Sequence, residues 1–329
     1  MSALLEVSPP PAEELRSTRL SARGLCVTVS GRVVLDEVGF DVDAGSLVGI
    51  FGPAGAGKST LIHCLAGTQR PERGTARLDG ESLVPGNRRM RARLGVSFAT
   101  STLDRSNVAR TNLLHAAKLM GVPRTERGPR ADELLDYFGL SDCADEPIDS
   151  LAPSTRRDLE LARALIHRPT LLLLDTPNHD SLRADATGTA GPWDRLDAIR
   201  REQELSVLVA TRNLALAQRC DRLVILDRGH VIACEPPAHL LSRVGGDVIE
   251  IVATRPERLV SEIAVAFDVE PRLAGSSILL EVDQGHELVP RLVDVFPAGR
   301  FDGITLRKPN LIDAFFHLTG RTFAEASAS

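Results

Sequence analysis

The sequence predicts an α/β fold built around a phosphate-binding loop, and three observations support this class. First, the apolar run Leu47–Phe51 has strand character and leads into a glycine-rich loop, after which helical spacing begins. Second, the apolar run at 171–174 is short enough to be a buried strand and ends at Asp175. Third, 329 residues with 43% hydrophobic content can bury a large core, and this length suggests about two domains.

Composition argues against several classes of function. The net charge of −5 is unsuited to general electrostatic binding of nucleic acid. No apolar run approaches the roughly 20 residues of a membrane-spanning helix. The five cysteines include no C-x-x-C pair, which argues against a zinc ribbon or a disulfide framework and fits a reducing cytosol. The proline-rich start and the Ala-Ser-rich end predict flexible tails over residues 1–20 and 323–329.

The glycine-rich loop has the composition of a phosphate cradle. Its glycines let successive backbone N–H groups point at one anion, and the N-terminus of the following helix adds partial positive charge. In this pattern Lys58 reaches the β- and γ-phosphates and the Ser59 hydroxyl ligates Mg²⁺, so a nucleoside triphosphate with Mg²⁺ is the expected ligand. The alternative is a glycine-rich turn that binds no ligand. Only three of the 39 basic residues are lysine, so chance alone poorly explains a lysine within this loop. The predicted nucleotide-binding residues are Gly52, Pro53, Ala54, Gly55, Ala56, Gly57, Lys58, Ser59 and Thr60.

Further segments appear in an order that resembles an ABC transporter ATP-binding subunit. They are residues 24–45 before the loop, 70–74 and 78–80 after it, 158–169, 171–175 and 221–232. The similar region runs from Gly24 to about Leu241, or about two thirds of the chain. By this resemblance residues 171–175 are the Walker B strand, and Asp175 is its Mg²⁺ carboxylate. The resemblance implies a P-loop NTPase domain of the ABC type over residues 21–243, with an inserted helical subdomain at 99–165.

The last third of the chain predicts a small C-terminal α+β domain over residues 247–322. Strand-like and helical patterns alternate there, with strands at 248–252, 278–282 and 304–307 and helices at 257–266 and 287–295. Pro290 lies inside the second of these helices and weakens that prediction. The stretch from Pro309 to Arg321 ends in Leu-Thr-Gly-Arg and resembles the C-terminal signature of the drug-resistance and nodulation-factor-export branch of the ABC family.

The departures from the family pattern lie at the catalytic positions. The residue after the Walker B aspartate, a glutamate that handles the attacking water in the family, is Thr176 here. The switch histidine that contacts the γ-phosphate is replaced by Arg212, and the Q-loop glutamine by Ala99. Val29 stands where the family has an aromatic side chain that stacks on adenine. By this comparison no catalytic residue is intact.

The signature loop is altered as well. The family reads L-S-G-G-Q where this chain reads Leu151-Ala152-Pro153-Ser154-Thr155, and no glycine occurs between Gly139 and Gly188. In the family this loop offers backbone N–H groups to the γ-phosphate on a partner subunit. Pro153 removes one such donor, and the missing glycines prevent close backbone approach.

The resemblance and its departures together predict an ATP-binding subunit of an export-type ABC transporter that binds Mg-ATP but hydrolyses it slowly or not at all. Its implied partners are a multi-span membrane permease and a second ATP-binding subunit, with a heterodimer favoured over a homodimer. Nucleic acid is not an expected partner. The implied location is cytoplasmic, on the inner face of the cell membrane through the permease.

Two alternatives stay open at this point. The chain could be an active ATPase whose chemistry has moved, with Arg212 stabilising phosphate charge and His179 or Asp180 handling the water. It could also be a nucleotide-sensing or scaffolding protein without a transport role, with the C-terminal domain as its interaction module.

Overall fold

A computed structural model of the chain describes residues 17–84, 86–175, 191–296 and 299–328. Several predictions concern residues outside these ranges, namely the N-terminal tail up to residue 16 and the positions Thr176, His179 and Asp180. The tail was predicted over residues 1–20, but the first strand already begins at Thr18.

The larger part of the described chain alternates strands and helices, and two short 3₁₀ turns lie within it. In chain order the elements are β1 (Thr18–Val29), β2 (Arg32–Asp43), β3 (Leu47–Phe51), α1 (Lys58–Leu65), β4 (Arg73–Leu78), β5 (Glu81–Ser82), α2 (Arg88–Arg91), β6 (Leu94–Ser97), α3 (Ala109–Leu119), α4 (Arg124–Tyr137), α5 (Pro153–Leu165), β7 (Leu171–Asp175), α6 (Pro192–Gln203), β8 (Ser206–Thr211), α7 (Leu214–Arg219), β9 (Arg222–Asp227), β10 (His230–Glu235) and α8 (Pro237–Ser242).

A six-stranded sheet with the order β10-β9-β3-β8-β7-β6 forms the centre of this part. Its strands are parallel except for β10, which pairs antiparallel with β9. Every residue of β3, β7 and β8 is buried, which is why these strands have continuous apolar sequences rather than alternating ones. Parallel pairing brings the carboxyl ends of these three strands to one edge of the sheet, and ligands bind at such edges.

A second, antiparallel sheet with the order β2-β1-β4-β5 covers one side of the central sheet. Its inward residues, among them Leu20, Leu35 and Val38, share one hydrophobic core with α1 and with alternate residues of the central strands. The packing holds the β1–β2 hairpin against the glycine-rich loop. An ideal Cβ at Gly57 would lie 2.8 Å from Val34 O.

The helical insertion consists of α3, α4 and α5, which lie within the predicted range of 99–165. Glu160 of α5 ties the start of this insertion to the helix that follows the signature segment. Its carboxylate is 1% exposed and accepts hydrogen bonds from Ser101 Oγ (2.7 Å) and Thr102 N (2.6 Å). Arg163, one turn later, pairs with the same carboxylate at 2.9 Å. This buried network makes the 101–102 segment and α5 one rigid unit.

The C-terminal part begins with β11 (Asp247–Val252), α9 (Pro256–Phe267), β12 (Arg272–Ala274), β13 (Ser277–Val282), α10 (Gly285–Val295) and β14 (Gly303–Arg307), followed by α11 (Leu311–Thr319) and α12 (Phe323–Ala328). The strands form an antiparallel sheet with the order β12-β13-β11-β14, whose own core includes Ile251, Ile263 and Leu280. Pro290 does lie inside α10, where Leu288 and Leu292 are buried on either side of it. Their burial outweighs the hydrogen bond that proline removes.

The end of the chain differs from the predicted domain division. Leu311 and Phe315 of α11 and Ala326 of α12 belong to the core of the nucleotide-binding part, together with Phe51. The α+β unit therefore ends near β14, and the chain then returns to the first domain. Residues 323–328 form a packed helix where a flexible tail was predicted, because the Ala-Ser composition concealed the apolar face carried by Phe323 and Ala326.

Replacing Glu160 is expected to destabilise the fold. Glu160→Ala removes the acceptor of a buried network and leaves the Thr102 amide and the Arg163 guanidinium without it. The expected loss is about 2–4 kcal/mol of unfolding free energy, measured by chemical denaturation. The exposed Glu270, in the loop between α9 and β12, supplies the control, since Glu270→Ala should change stability by less than about 0.5 kcal/mol. Equal effects of the two substitutions would contradict the assignment of Glu160 as a structural clamp.

Candidate functional site

The glycine-rich loop leaves β3 at Phe51 and closes into α1 at Lys58. Two of its glycines have left-handed backbones, with φ of 76° at Gly55 and 105° at Gly57. Gly52 lies so close to β9 that an ideal Cβ would meet Leu226 O at 2.1 Å. Gly57 is the N-cap of α1. Because glycine has no side chain, this residue cannot cap the first amides of the helix. This is the backbone that an anion needs at a helix N-terminus.

Lys58 lies inside the loop that it follows. Its ammonium donates hydrogen bonds to Gly52 O (2.7 Å) and Pro53 O (2.5 Å). The pKa of Lys58 is lowered to about 8, first by burial and then by the positive charge of Arg212, while Asp175 acts in the opposite direction. The ammonium is thus a desolvated cation that two loop carbonyls hold in place, and a bound phosphate would strengthen its charged state.

Ser59 and Asp175 meet at the end of α1 nearest the sheet. The Ser59 hydroxyl donates to Asp175 Oδ1 at 3.0 Å, and Asp175 is 5% exposed at the carboxyl end of β7. Burial raises the pKa of Asp175, and the Ser59 hydrogen bond, His63 and Lys58 oppose that shift. A hydroxyl and a carboxylate side by side are hard oxygen ligands of the kind that Mg²⁺ prefers. The two residues predicted for Mg²⁺ are therefore adjacent in the structure and suit the ion by their chemistry.

The neighbouring strand end carries the cation Arg212, which is predicted from the sequence to occupy the position of the switch histidine. Thr211 closes β8 and is fully buried, and its hydroxyl accepts from Asn213 N at 2.9 Å. Arg212 follows with an exposed side chain, near enough to Lys58 to lower the pKa of that lysine. Two positive charges, Lys58 and Arg212, therefore lie close to each other, and Lys58 also interacts with the buried carboxylate of Asp175. This balance of charge favours a polyanionic ligand.

The other positions that the resemblance predicts to be altered have ordinary structural roles. Ala99 is exposed, and its carbonyl accepts from Arg157 Nη1 at 3.5 Å. Val29, at the end of β1, is 43% exposed and presents a small apolar surface. Pro153 is the first residue of α5, a position where the missing N–H costs no helical hydrogen bond. The helix N-terminus at the signature segment is thus preserved, without the glycine backbone of the family motif.

One contact of the loop was not predicted from sequence. Ala54 N donates to Ser327 Oγ of α12 at 3.3 Å, and the Phe323 ring lies 5.2 Å from that of Phe51. A local signal for α12 does exist, because Thr322 and Glu325 form a capping box of the form T-x-x-E. That pattern starts a helix, but it does not indicate what the helix packs against.

The loop, the parallel sheet and the helical insertion define a P-loop nucleotide-binding domain, and comparisons with known proteins identify its family. A sequence profile described as ABC transporter matches residues 35–179. The chain is 33% identical over 294 residues to the Nod factor export ATP-binding protein I of Sinorhizobium fredii, covering 88% of this chain and 82% of that protein. The corresponding protein of Burkholderia thailandensis is 33% identical over 293 residues, covering 88% and 93%.

A solved structure described as an ATP-binding subunit of an ABC transporter superposes with a TM-score of 0.61 and 27% identity, covering 69% of this chain and 93% of that one. The chain therefore belongs to the ABC transporter family, and it is an ATP-binding subunit. The α/β class and the nodulation-factor-export branch predicted from the sequence are both confirmed.

The lowered pKa of Lys58 predicts a pH-dependent affinity for Mg-ATP. Phosphates bind the charged ammonium and raise its pKa, so binding takes up a proton above pH 8. Affinity should be level from about pH 7 to 8 and then fall by up to about tenfold per pH unit. Titration calorimetry in buffers of different ionisation enthalpy measures both the affinity and the proton uptake.

The exposed Lys118 of α3 provides the matched control. Lys118→Ala should leave the pH profile unchanged, because that side chain lies outside the loop. An affinity that stays constant up to pH 9.5 in the unaltered chain would contradict the role assigned to Lys58.

Proposed function

We propose that this ATP-binding subunit serves an export-type ABC transporter, binding Mg-ATP through residues 52–60 and hydrolysing it slowly or not at all. The observation that carries the proposal is a contrast within one site. The cradle is complete, with Lys58 held inside the loop and Ser59 beside Asp175 at 3.0 Å. The position of the γ-phosphate histidine, one strand away, is occupied by Arg212.

Binding and hydrolysis place different demands on such a site. Binding needs loop amides, one cation and the Mg²⁺ ligands, all of which the chain has. Hydrolysis needs a positioned water as well, and phosphoryl transfer depends almost wholly on positioning and electrostatic stabilisation. Thr176 offers a hydroxyl where the family has a carboxylate, and a hydroxyl is a far weaker base. We therefore expect bound ATP to stabilise the association of the subunits, with little of it being hydrolysed.

The relatives named Nod factor export ATP-binding protein I support the export role. Among the residues that the structure describes, every helix is too short or too polar to cross a membrane. Because the chain belongs to the ABC transporter family, we assign the membrane passage to a multi-span permease and propose a cytoplasmic position for this subunit. The end of α3 suits such a contact, since Leu119 is 80% and Met120 is 36% exposed beside a cavity of about 370 Å³.

A second ATP-binding subunit completes the proposed assembly, and a heterodimer fits better than a homodimer. In a homodimer both composite sites would combine Thr176 and Arg212 with the altered signature segment. A partner with intact motifs would supply glutamate and histidine at its own site. The helix N-terminus at Pro153 would still offer positive potential to the nucleotide on that partner.

The first test measures Mg-ATP affinity and steady-state hydrolysis on the same purified chain. Mg-ATP should bind, and Lys58→Ala should weaken binding by about 10- to 100-fold, since it removes a charge-assisted contact of about 1.5–3 kcal/mol. Hydrolysis should stay far below ordinary enzyme rates. Lys118→Ala again serves as the matched control. Rapid turnover that Lys58→Ala abolishes would refute the degenerate-subunit proposal, and absence of binding would leave the scaffold interpretation.

A second candidate function, an active ATPase with relocated chemistry, is favoured by one observation. Arg212 lies close enough to Lys58 to affect its pKa, as a residue that stabilises phosphate charge would. In that case Arg212→Ala should reduce the rate by about a thousandfold or more.

Restoration of the family residues separates the two candidates. If the chain is degenerate, Thr176→Glu combined with Arg212→His should raise the hydrolysis rate by about a hundredfold, because it supplies a water-positioning base. If the chemistry has moved, the same pair should lower the rate. Single-turnover hydrolysis at saturating Mg-ATP is the measurement, with affinity determined in parallel to exclude a binding effect.

A further inference from the structure

The last helix of the chain is seated on the phosphate loop. Phe323 of α12 packs between two rings, with centroid distances of 5.2 Å to Phe51 and 5.2 Å to Phe315. Phe51 is the residue from which the loop starts, and Phe315 belongs to α11. Ala326, one turn further on, is 7% exposed and joins the same core. The helix therefore has a specific apolar seat beside the loop.

A polar contact joins α12 to the loop itself. Ser327 Oγ donates to Phe323 O at 2.8 Å, which aims its lone pairs outward, and it accepts from Ala54 N at 3.3 Å. A phosphate oxygen would make the same kind of contact with a loop amide. Ala326 and Ser327 also form one wall of a cavity of about 460 Å³, whose other walls include Val34, Ala54 and Ala56. An anionic ligand of the loop would therefore compete with Ser327 Oγ for the amide of Ala54.

An ion pair anchors the start of α12, and the helix itself is short. Arg321 forms an ion pair with Asp227, which is 7% exposed at the end of β9. Gly320, with φ of 69°, ends α11 and turns the chain towards this pair. Beyond it, α12 has six residues, and both Glu325 and Ser327 are exposed. A helix this short is not stable by itself, so its order depends on the seat of Phe323.

We propose that α12 is a cover built into the chain that lies on the phosphate loop and must lift from Ala54 before Mg-ATP occupies the loop fully. This inference rests on the proposed binding of Mg-ATP by residues 52–60. The cover lowers apparent affinity because only the open fraction of molecules binds. The coupling between nucleotide binding and α12 is reciprocal, so bound Mg-ATP in turn weakens the packing of α12. The conformation of α12 therefore depends on whether nucleotide is bound. Arg321 and Asp227 keep the lifted helix close to its seat.

The experiment compares Mg-ATP affinity in the full chain and in a chain that ends at Thr322. Removal of the cover should tighten binding by about three- to tenfold, corresponding to a loop that is open in about a tenth to a third of the molecules. Ser327→Ala, which removes the competing acceptor alone, should produce a smaller gain. Phe323→Ala should approach the effect of truncation, and Phe323→Leu should restore the original affinity because it keeps the seat apolar.

Two controls accompany the titration. Ser242→Ala changes a serine hydroxyl on α8 that contacts His239 O, and it should leave affinity unchanged. Hydrogen exchange of residues 323–328 gives a second readout. Exchange should accelerate when Mg-ATP is added to the full chain and should not respond to Mg-ATP in Lys58→Ala. Thermal melting of each variant confirms that the domain is folded, and Ser327→Ala carries the test if truncation unfolds it.

Each outcome separates the cover from the proposed function. Tighter binding without α12, with faster exchange on nucleotide addition, supports the cover. Equal affinity in all variants overturns the cover and leaves Mg-ATP binding in place. Weaker binding after truncation also overturns it, because α12 would then be a wall that the nucleotide needs. Absence of binding in both the full and the truncated chain overturns the cover and the proposed nucleotide binding together.

Discussion

The close contact between the phosphate loop and the strands around it is the constraint on which the site depends. An ideal Cβ on Gly52 would collide with Leu226 O at 2.1 Å, and one on Gly57 would meet Val34 O at 2.8 Å. Because backbone lies against backbone on two sides, a side chain at either glycine would displace the loop. That arrangement in turn places Lys58 within the loop and Ser59 at the strand that ends in Asp175.

The charges of the site support the proposal that it binds a polyphosphate. The positive charge of the exposed Arg212 lowers the pKa of Lys58, the loop cation, while burial raises the pKa of the neighbouring carboxylate of Asp175. An added polyanion with its Mg²⁺ would relieve the repulsion between the two cations and complete the surroundings of the carboxylate.

The last two helices link the C-terminal α+β unit to the nucleotide-binding part. The α+β unit has its own core, but α11 and α12 return to the core of the nucleotide-binding part. The Leu-Thr-Gly-Arg stretch is the point of return, where Gly320 ends a helix and Arg321 pairs with Asp227. A short, packed segment therefore connects the C-terminal α+β unit to the helix that contacts the phosphate loop.

Local sequence determined the phosphate loop, the buried parallel strands and most C-terminal elements, because glycine conformations, apolar runs and periodicity depend on near neighbours in the chain. It also identified Ser59 and Asp175 through family motifs. The tertiary structure alone decided that Arg212 lies near Lys58, that Glu160 accepts hydrogen bonds from residues 101–102, and that α12 contacts the loop. Each of these contacts joins segments distant in the chain, and Ala54 and Ser327 are 273 residues apart. Such pairings follow from packing the whole core, which no local pattern specifies.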